Sequence, residues 1–169
     1  MYQIGDKIMY GSTGVCVVDD VGPCYDKRDC RMYYKLKPLH STETIYIPVD
    51  SSMFMRPVLT RQEAESLIDR VPNIAGEIYM DSNLTTLRQK YDACLREHTC
   101  EAYFRLIKGI YHKRRRGCKM GQIDEHYMKR AENILYSELA VALDIPADQV
   151  VNYIKSSVNG RKDVSMCTD

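Results

Sequence analysis

Five cations fall within seven residues near the middle of the chain: Lys113, Arg114, Arg115, Arg116 and Lys119. Guanidinium and ammonium groups at this density suit phosphate oxygens, which they bind through charge-assisted hydrogen bonds without reading a base sequence. Cations at a helix C-terminus also complement the helix dipole. That explains one or two of them, not five with Arg105 and Lys108 upstream. The wider segment 82–119 holds ten basic and three acidic side chains, net +7, whereas residues 1–57 hold seven of each. The whole chain carries only +1. A neutral front and a basic centre predict two surfaces with two different partners.

Other residue sets carry less chemistry. Cys94, His98 and Cys100 are the nearest approach to a metal cluster, with Cys94 and His98 four apart on an expected helix. A fourth ligand and a Cys-x-x-Cys pair are both missing, so the expectation is a core-facing Cys, a surface His and no bound metal. The pairs Asp19-Asp20 and Asp124-Glu125 are adjacent in sequence, diverge on either kind of element, and read as solvated surface or caps. There is no phosphate-binding P-loop, dinucleotide glycine fingerprint, zincin motif or nucleophile elbow. The expectation is therefore a protein that is not an enzyme and needs no cofactor. The seven cysteines are odd in number and irregular in spacing. The N-terminus has neither a basic nor an apolar leader region, and no 18-residue apolar run exists. These features predict reduced thiols, a cytoplasmic location and no membrane partner.

Two periodicities divide the chain. To about residue 50 the apolar residues recur every second position: Ile8 and Tyr10, Val15 and Val17, then Met32, Tyr34 and Leu36, then Ile45, Ile47 and Val49. Turn residues such as Gly11, Gly14, Gly22 and Pro23 bound each run. That pattern predicts four or five antiparallel strands in a small, partly open barrel of SH3 or Tudor size. After Pro57 the period becomes helical. Thr60-Arg61-Gln62-Glu63 has capping-box form and predicts a helix to about Arg70. Leu84, Leu87, Tyr91 and Cys94 predict a second helix, capped by Ser82 or Asn83. Tyr103, Leu106, Ile107, Ile110 and Tyr111 predict a third. Gly117 and Gly121 bracket a turn. Met128, Ala131, Leu135 and Leu139 mark a long fourth helix, and Pro146 opens a fifth. The fold class is α+β, with a β-domain over 1–57 and an all-α domain of about five helices over 58–169.

The sequence resembles the CarD/CdnL family. The likeness is carried by Ile4-Gly5-Asp6-Lys7-Ile8-Met9-Tyr10-Gly11, by Tyr33-Tyr34-Lys35-Leu36-Lys37, by Thr44-Ile45-Tyr46-Ile47-Pro48-Val49-Asp50, and by Met55-Arg56-Pro57-Val58. The first module is also similar to the polymerase-binding domain of the transcription-repair coupling factor. In the helical half, Ala131-Glu132-Asn133-Ile134-Leu135 and Ser137-Glu138-Leu139-Ala140 resemble the family's penultimate helix. The resemblance implies a Tudor-like domain that pairs with the β subunit of RNA polymerase. It also implies a helical domain that binds the minor groove at the upstream edge of the bubble and stabilises the open promoter complex.

Carried onto this chain, the polymerase contact falls on an edge strand over 44–49, with Thr44, Tyr46 and Pro48 outward. Two family arginines fall near Cys24 and Tyr46, neither basic here. The contact is therefore either more apolar or uses Arg28, Arg31 and Lys35. The expected DNA contacts are Arg88, Lys90, Lys113, Arg114, Arg115, Arg116 and Lys119. Several family members use a Trp as a wedge at the DNA fork, and this chain has no Trp. Leu87 lies at or near that position, as a wedge or as core. The missing Trp motivates an alternative, a polymerase-binding adaptor without DNA contact. A monomer is expected.

Overall fold

The structure is a computed structural model and describes residues 1–23 and 30–165. Arg28 and Cys24 lie outside the described residues. The chain divides into two compact units, Met1–Val58 and Leu59–Asp169.

The first unit is a five-stranded antiparallel sheet: β1 (Lys7–Tyr10), β2 (Gly14–Pro23), β3 (Met32–Pro38), β4 (Ile45–Pro48) and β5 (Met55–Pro57). The order is β4-β3-β2-β1-β5. β4 and β5 stay at opposite edges, so the partly open barrel expected is present as a five-stranded sheet that does not close. Its core is Ile8, Cys16, Val18, Tyr34, Leu36 and Ile47. The alternation expected for β2 is corrected here. Cys16 and Val18, not Val15 and Val17, line this core. Val15 and its cross-strand partner Met9 are buried as well. A strand buried on both faces loses its polar alternation, which is why the period misled.

The register shifts between Val18 and Asp20, which leaves Asp19 unpaired in the β2–β3 ladder. Its carboxylate reaches Lys35 at 2.8 Å and Lys37 at 2.7 Å. Those hydrogen bonds hold the Asp19 carboxyl below its ordinary value. Asp19 is thus a bulge residue that orients two lysines, not an idle surface acid.

The second unit contains α1 (Arg61–Arg70), α2 (Leu84–Leu95), α3 (Cys100–Arg115), α4 (Gln122–Leu143) and α5 (Val150–Ser165), with single 3-10 turns at Val71–Asn73 and Ala147–Gln149. The Thr60–Glu63 capping box is formed in both directions. Asn83 caps α2 through the Thr85 and Thr86 amides. Pro146 precedes the second 3-10 turn, so α5 begins at Val150 rather than at the proline. The core gathers Tyr91, Tyr103, Leu106, Ile110, Leu135, Leu139 and Leu143. Tyr111, expected on the apolar stripe of α3, is half exposed. Eight residues drift off a 3.6-residue period, and the Arg115 guanidinium lies 6.0 Å from its ring centroid instead.

Residues 74–83 are a non-helical strap laid across α3. The Glu77 amide donates to the Arg105 carbonyl at 3.2 Å. Lys108 Nζ donates to the Ile74 carbonyl at 2.8 Å and also to the Val71 carbonyl. Gly76 and Gly109 meet where strap and helix cross. A Cβ on Gly109 would stand 1.8 Å from the Glu77 carbonyl oxygen, and one on Gly76 would stand 2.7 Å from the Gly109 nitrogen. Only glycine allows this backbone approach.

Candidate functional site

The cationic segment is built on the C-terminus of α3. Gly117 takes a φ of +76°. Its amide donates to the Arg114 carbonyl at 3.1 Å, and the Cys118 amide donates to the Lys113 carbonyl at 3.3 Å. That is a Schellman motif, which stops the helix on a left-handed glycine and satisfies its last carbonyls. Arg114, Arg115, Arg116 and Lys119 are exposed around this turn, and Arg88 is exposed on α2. Among the described residues none of these five has an acidic partner.

The other cations of the net +7 segment are engaged. Lys90 pairs with Asp81 at 3.1 Å, and Arg105 pairs with Glu97 at 2.7 Å. Arg96 Nε returns to the Asp92 carbonyl of its own helix at 3.2 Å. Lys108 holds the strap. Lys113 corrects the expectation of a phosphate contact. It is buried, with its ammonium 2.9 Å from both oxygens of Asp124. A buried cation already neutralised by a carboxylate has little to offer a phosphate.

Asp124 is the residue that sequence reasoning misplaced. It caps the start of α4, as one of the two readings has it, but it is 2% exposed rather than solvated. Its carboxylate also accepts from Tyr91 Oη at 2.5 Å and from the Gly121 amide at 3.0 Å. Burial by itself raises the Asp124 carboxyl. The bonds from Tyr91, Lys113 and Gly121, with the Lys113 charge, outweigh burial and hold it below its ordinary value. The same neighbourhood pushes the Tyr91 phenol well up, through burial and then the Asp124 bond. Tyr91 stacks on Tyr127 at 5.0 Å, and Tyr127 donates to Asp92 at 2.7 Å. The available signal was Asp124 standing three residues after Gly121, which marks the first turn of α4.

Leu87 is corrected too. It is 4% exposed and belongs to the core, so it is no surface wedge. Facing solvent instead are Leu84, 60% exposed at the first position of α2, and Met80, 61% exposed on the strap. Met80, Asp81 and Ser82 share an open cleft of about 550 Å³ with Lys113, Cys118 and Lys119. Leu87→Ala is expected to destabilise the helical unit by about 2–5 kcal/mol. Leu84→Ser is expected to stay within about 0.5 kcal/mol of wild type. Urea unfolding of each variant, followed by helical circular dichroism, checks the contrast.

The cysteine–histidine set does not converge. α2 ends at Leu95, and His98 lies beyond it at a φ of +53°, so Cys94 and His98 share no helical face. Cys94 Sγ donates to the Ala102 carbonyl at 3.3 Å, and Cys100 Sγ donates to Glu138 at 3.1 Å. Burial raises the Cys94 thiol to about 11, away from the thiolate that a metal needs. Among the described residues no group of three His, Cys, Asp or Glu side chains could hold a metal ion. No helix among them is long and apolar enough to cross a membrane.

In the β-unit four of the expected docking residues, Arg31, Lys35, Tyr46 and Pro48, come together on one face. Among the described residues β4 pairs only with β3, with Lys35 opposite Tyr46 and Tyr33 opposite Pro48. Directly opposed residues share a face, so these four point away from the Tyr34, Leu36 and Ile47 core. Tyr46 is 50% exposed. Arg31 joins this face by donating to Tyr33 Oη at 3.1 Å, with its guanidinium 5.7 Å from that ring's centroid. Thr44 is exposed but sits just before β4, not within it. Tyr33 is an added member of the set that sequence reasoning had not assigned to it.

No curated protein matches the chain. Residues 2–59 match the family model described as the CarD-like/TRCF RID domain. The match covers the whole strand-bearing part of the chain and ends at the first residue of the helical unit. Residues 2–59 are therefore a CarD-like RNA polymerase-interacting domain, which points to transcription regulation rather than to enzymatic catalysis.

Proposed function

We propose that this protein is a non-enzymatic transcription regulator that docks on the β subunit of RNA polymerase and stabilises the promoter open complex through its helical unit. The family match to residues 2–59 supports the polymerase partner. The edge strand β4 supplies the docking face: an exposed strand edge offers backbone pairing to a partner sheet, and Tyr46 offers an aromatic anchor. Arg31, Lys35, Tyr33 and Pro48 flank it. In this Tudor-like reading the open edge serves recognition.

The DNA reading rests on one observation: the exposed cations Arg114, Arg115, Arg116 and Lys119 around one helix end, with Arg88 on α2, have no acidic partner among the described residues. Such a set gains by releasing counterions from a phosphate backbone. Leu84 and Met80, rather than Leu87, would supply apolar contact with unstacked bases. Tethering to polymerase raises the effective concentration of the helical unit at the promoter, so weak intrinsic DNA affinity suffices. A monomer meets every requirement of this scheme.

The burial of Leu87 favours a second reading, an adaptor that binds polymerase without touching DNA. The lifetime of a promoter open complex with and without the protein decides between them. The polymerase contact has its own test. Tyr46→Glu in the full-length protein is expected to weaken binding to the polymerase β lobe by about 30-fold, the loss typical of an aromatic hot spot. Wild-type affinity in that variant, measured by biolayer interferometry, would refute docking through β4.

A further inference from the structure

The exposed cations stand on a turn whose two ends converge on one buried carboxylate. Asp124 takes both oxygen contacts from Lys113 Nζ at 2.9 Å, one from the Gly121 amide at 3.0 Å and one from Tyr91 Oη at 2.5 Å. In sequence, Arg114, Arg115, Arg116 and Lys119 all lie between Lys113 and Gly121. α2, the end of α3 and the start of α4 are thus tied together at a single group. The Schellman turn at Gly117 fixes the path between the two ties.

We propose that Asp124 is a positioning residue for nucleic-acid binding: with Tyr91 it clamps the turn 114–121, so that Arg114, Arg115, Arg116 and Lys119 present a preformed phosphate-binding surface. It also withdraws Lys113 from that surface. The proposal rests on the DNA reading given under Proposed function. A buried ion pair is a weak source of stability, because desolvation offsets most of its attraction. Its consequence at this position is geometric. Adjacent arginines repel one another, and an untied turn would spread them. Binding to phosphates would then have to order the turn as well, and that loss of freedom lowers affinity.

Positioning and contact leave different signatures in the salt dependence of binding. Each phosphate contact adds about 0.9 to the slope of log affinity against log salt, whereas ordering a turn changes affinity at constant slope. The measurement uses full-length protein and a fluorescein-labelled duplex with an unpaired fork, titrated at several salt concentrations. Asp124→Asn is expected to keep its helicity and lose about five- to tenfold in affinity, through the ordering cost, with no fall in the slope. Tyr91→Phe keeps both charges and removes one bond. It is expected to lose about two- to threefold on the same grounds, and serves if the Asn variant unfolds. Lys113→Met is expected to leave the slope unchanged, while Lys119→Met lowers it by about 0.9.

Wild-type affinity in Asp124→Asn or Tyr91→Phe would overturn the clamp, as would a fall of about 0.9 in slope for Lys113→Met. Failure of the wild-type protein to bind the fork at all would refute the DNA reading beneath it. Amide exchange at Gly121 and Cys118 would then judge the clamp by itself. Faster exchange in Asp124→Asn supports it, and equal exchange overturns it.

Discussion

Gly109→Ala destabilises the helical unit by about 3 kcal/mol, at the upper end of what overpacking a tight contact costs. The expectation runs against helix propensity. Gly109 lies in the interior of α3, where replacing glycine with alanine ordinarily stabilises by about 1 kcal/mol. The strap reverses the sign. The new methyl would stand 1.8 Å from the Glu77 carbonyl oxygen and 2.6 Å from its carbonyl carbon. Both are backbone atoms, so no side chain can swing aside. Either α3 moves or the strap lifts. Lifting it breaks the Glu77–Arg105 backbone bond and pulls Ile74 away from Lys108. Urea unfolding followed by helical circular dichroism measures the loss. An increase in stability would show that the strap does not lie against α3. Met80, Asp81 and Ser82 are carried to the cleft by the same strap, so the variant should also change the lining of that cleft.

Reversing Arg114, Arg115 and Arg116 to Glu lowers affinity for a forked promoter duplex by about two to three orders of magnitude at low salt. Three phosphate contacts are lost, and the salt slope falls by about 2.7. Repulsion between the new carboxylates and the phosphates adds to the loss. Stability should change little, because all three side chains are exposed and none has an acidic partner among the described residues. Binding to the polymerase β lobe should be unchanged, since the proposed docking face lies on residues of the other unit. With docking intact, the triple variant is expected to shorten the lifetime of the open complex towards that without the protein. An unchanged lifetime would sink the DNA reading and leave the adaptor.

The order of elements was legible because local chemistry imposes it. Thr60 and Glu63 satisfy each other's amides whatever packs nearby, and Asn83 caps α2 for the same reason. Gly117 announces a helix end because it alone tolerates the left-handed turn without strain. Tyr46 and Lys35 were readable as outward residues because strand alternation places them opposite the buried Tyr34 and Ile47. Where burial is two-sided, as at Met9 and Val15, alternation lost its meaning and the reading failed.

Partnership between distant residues was what tertiary structure decided. In sequence Lys113 is one more member of a cationic run, and Asp124 is one of two adjacent acids. Folding brings them within 2.9 Å, withdraws one cation from the surface and buries one carboxylate. A run of charges fixes local charge density, not which members find a counter-charge, because that depends on elements eleven or more residues away. Leu87 was ambiguous for the same reason. Its spacing places it on a helical stripe with Tyr91, but only the packing of α2 shows that this stripe faces inward and leaves Leu84 outside. The cationic run is therefore present as a surface, but as a smaller one, four residues around Gly117 with Arg88 on α2, beside a buried acid that composition counts merely as negative.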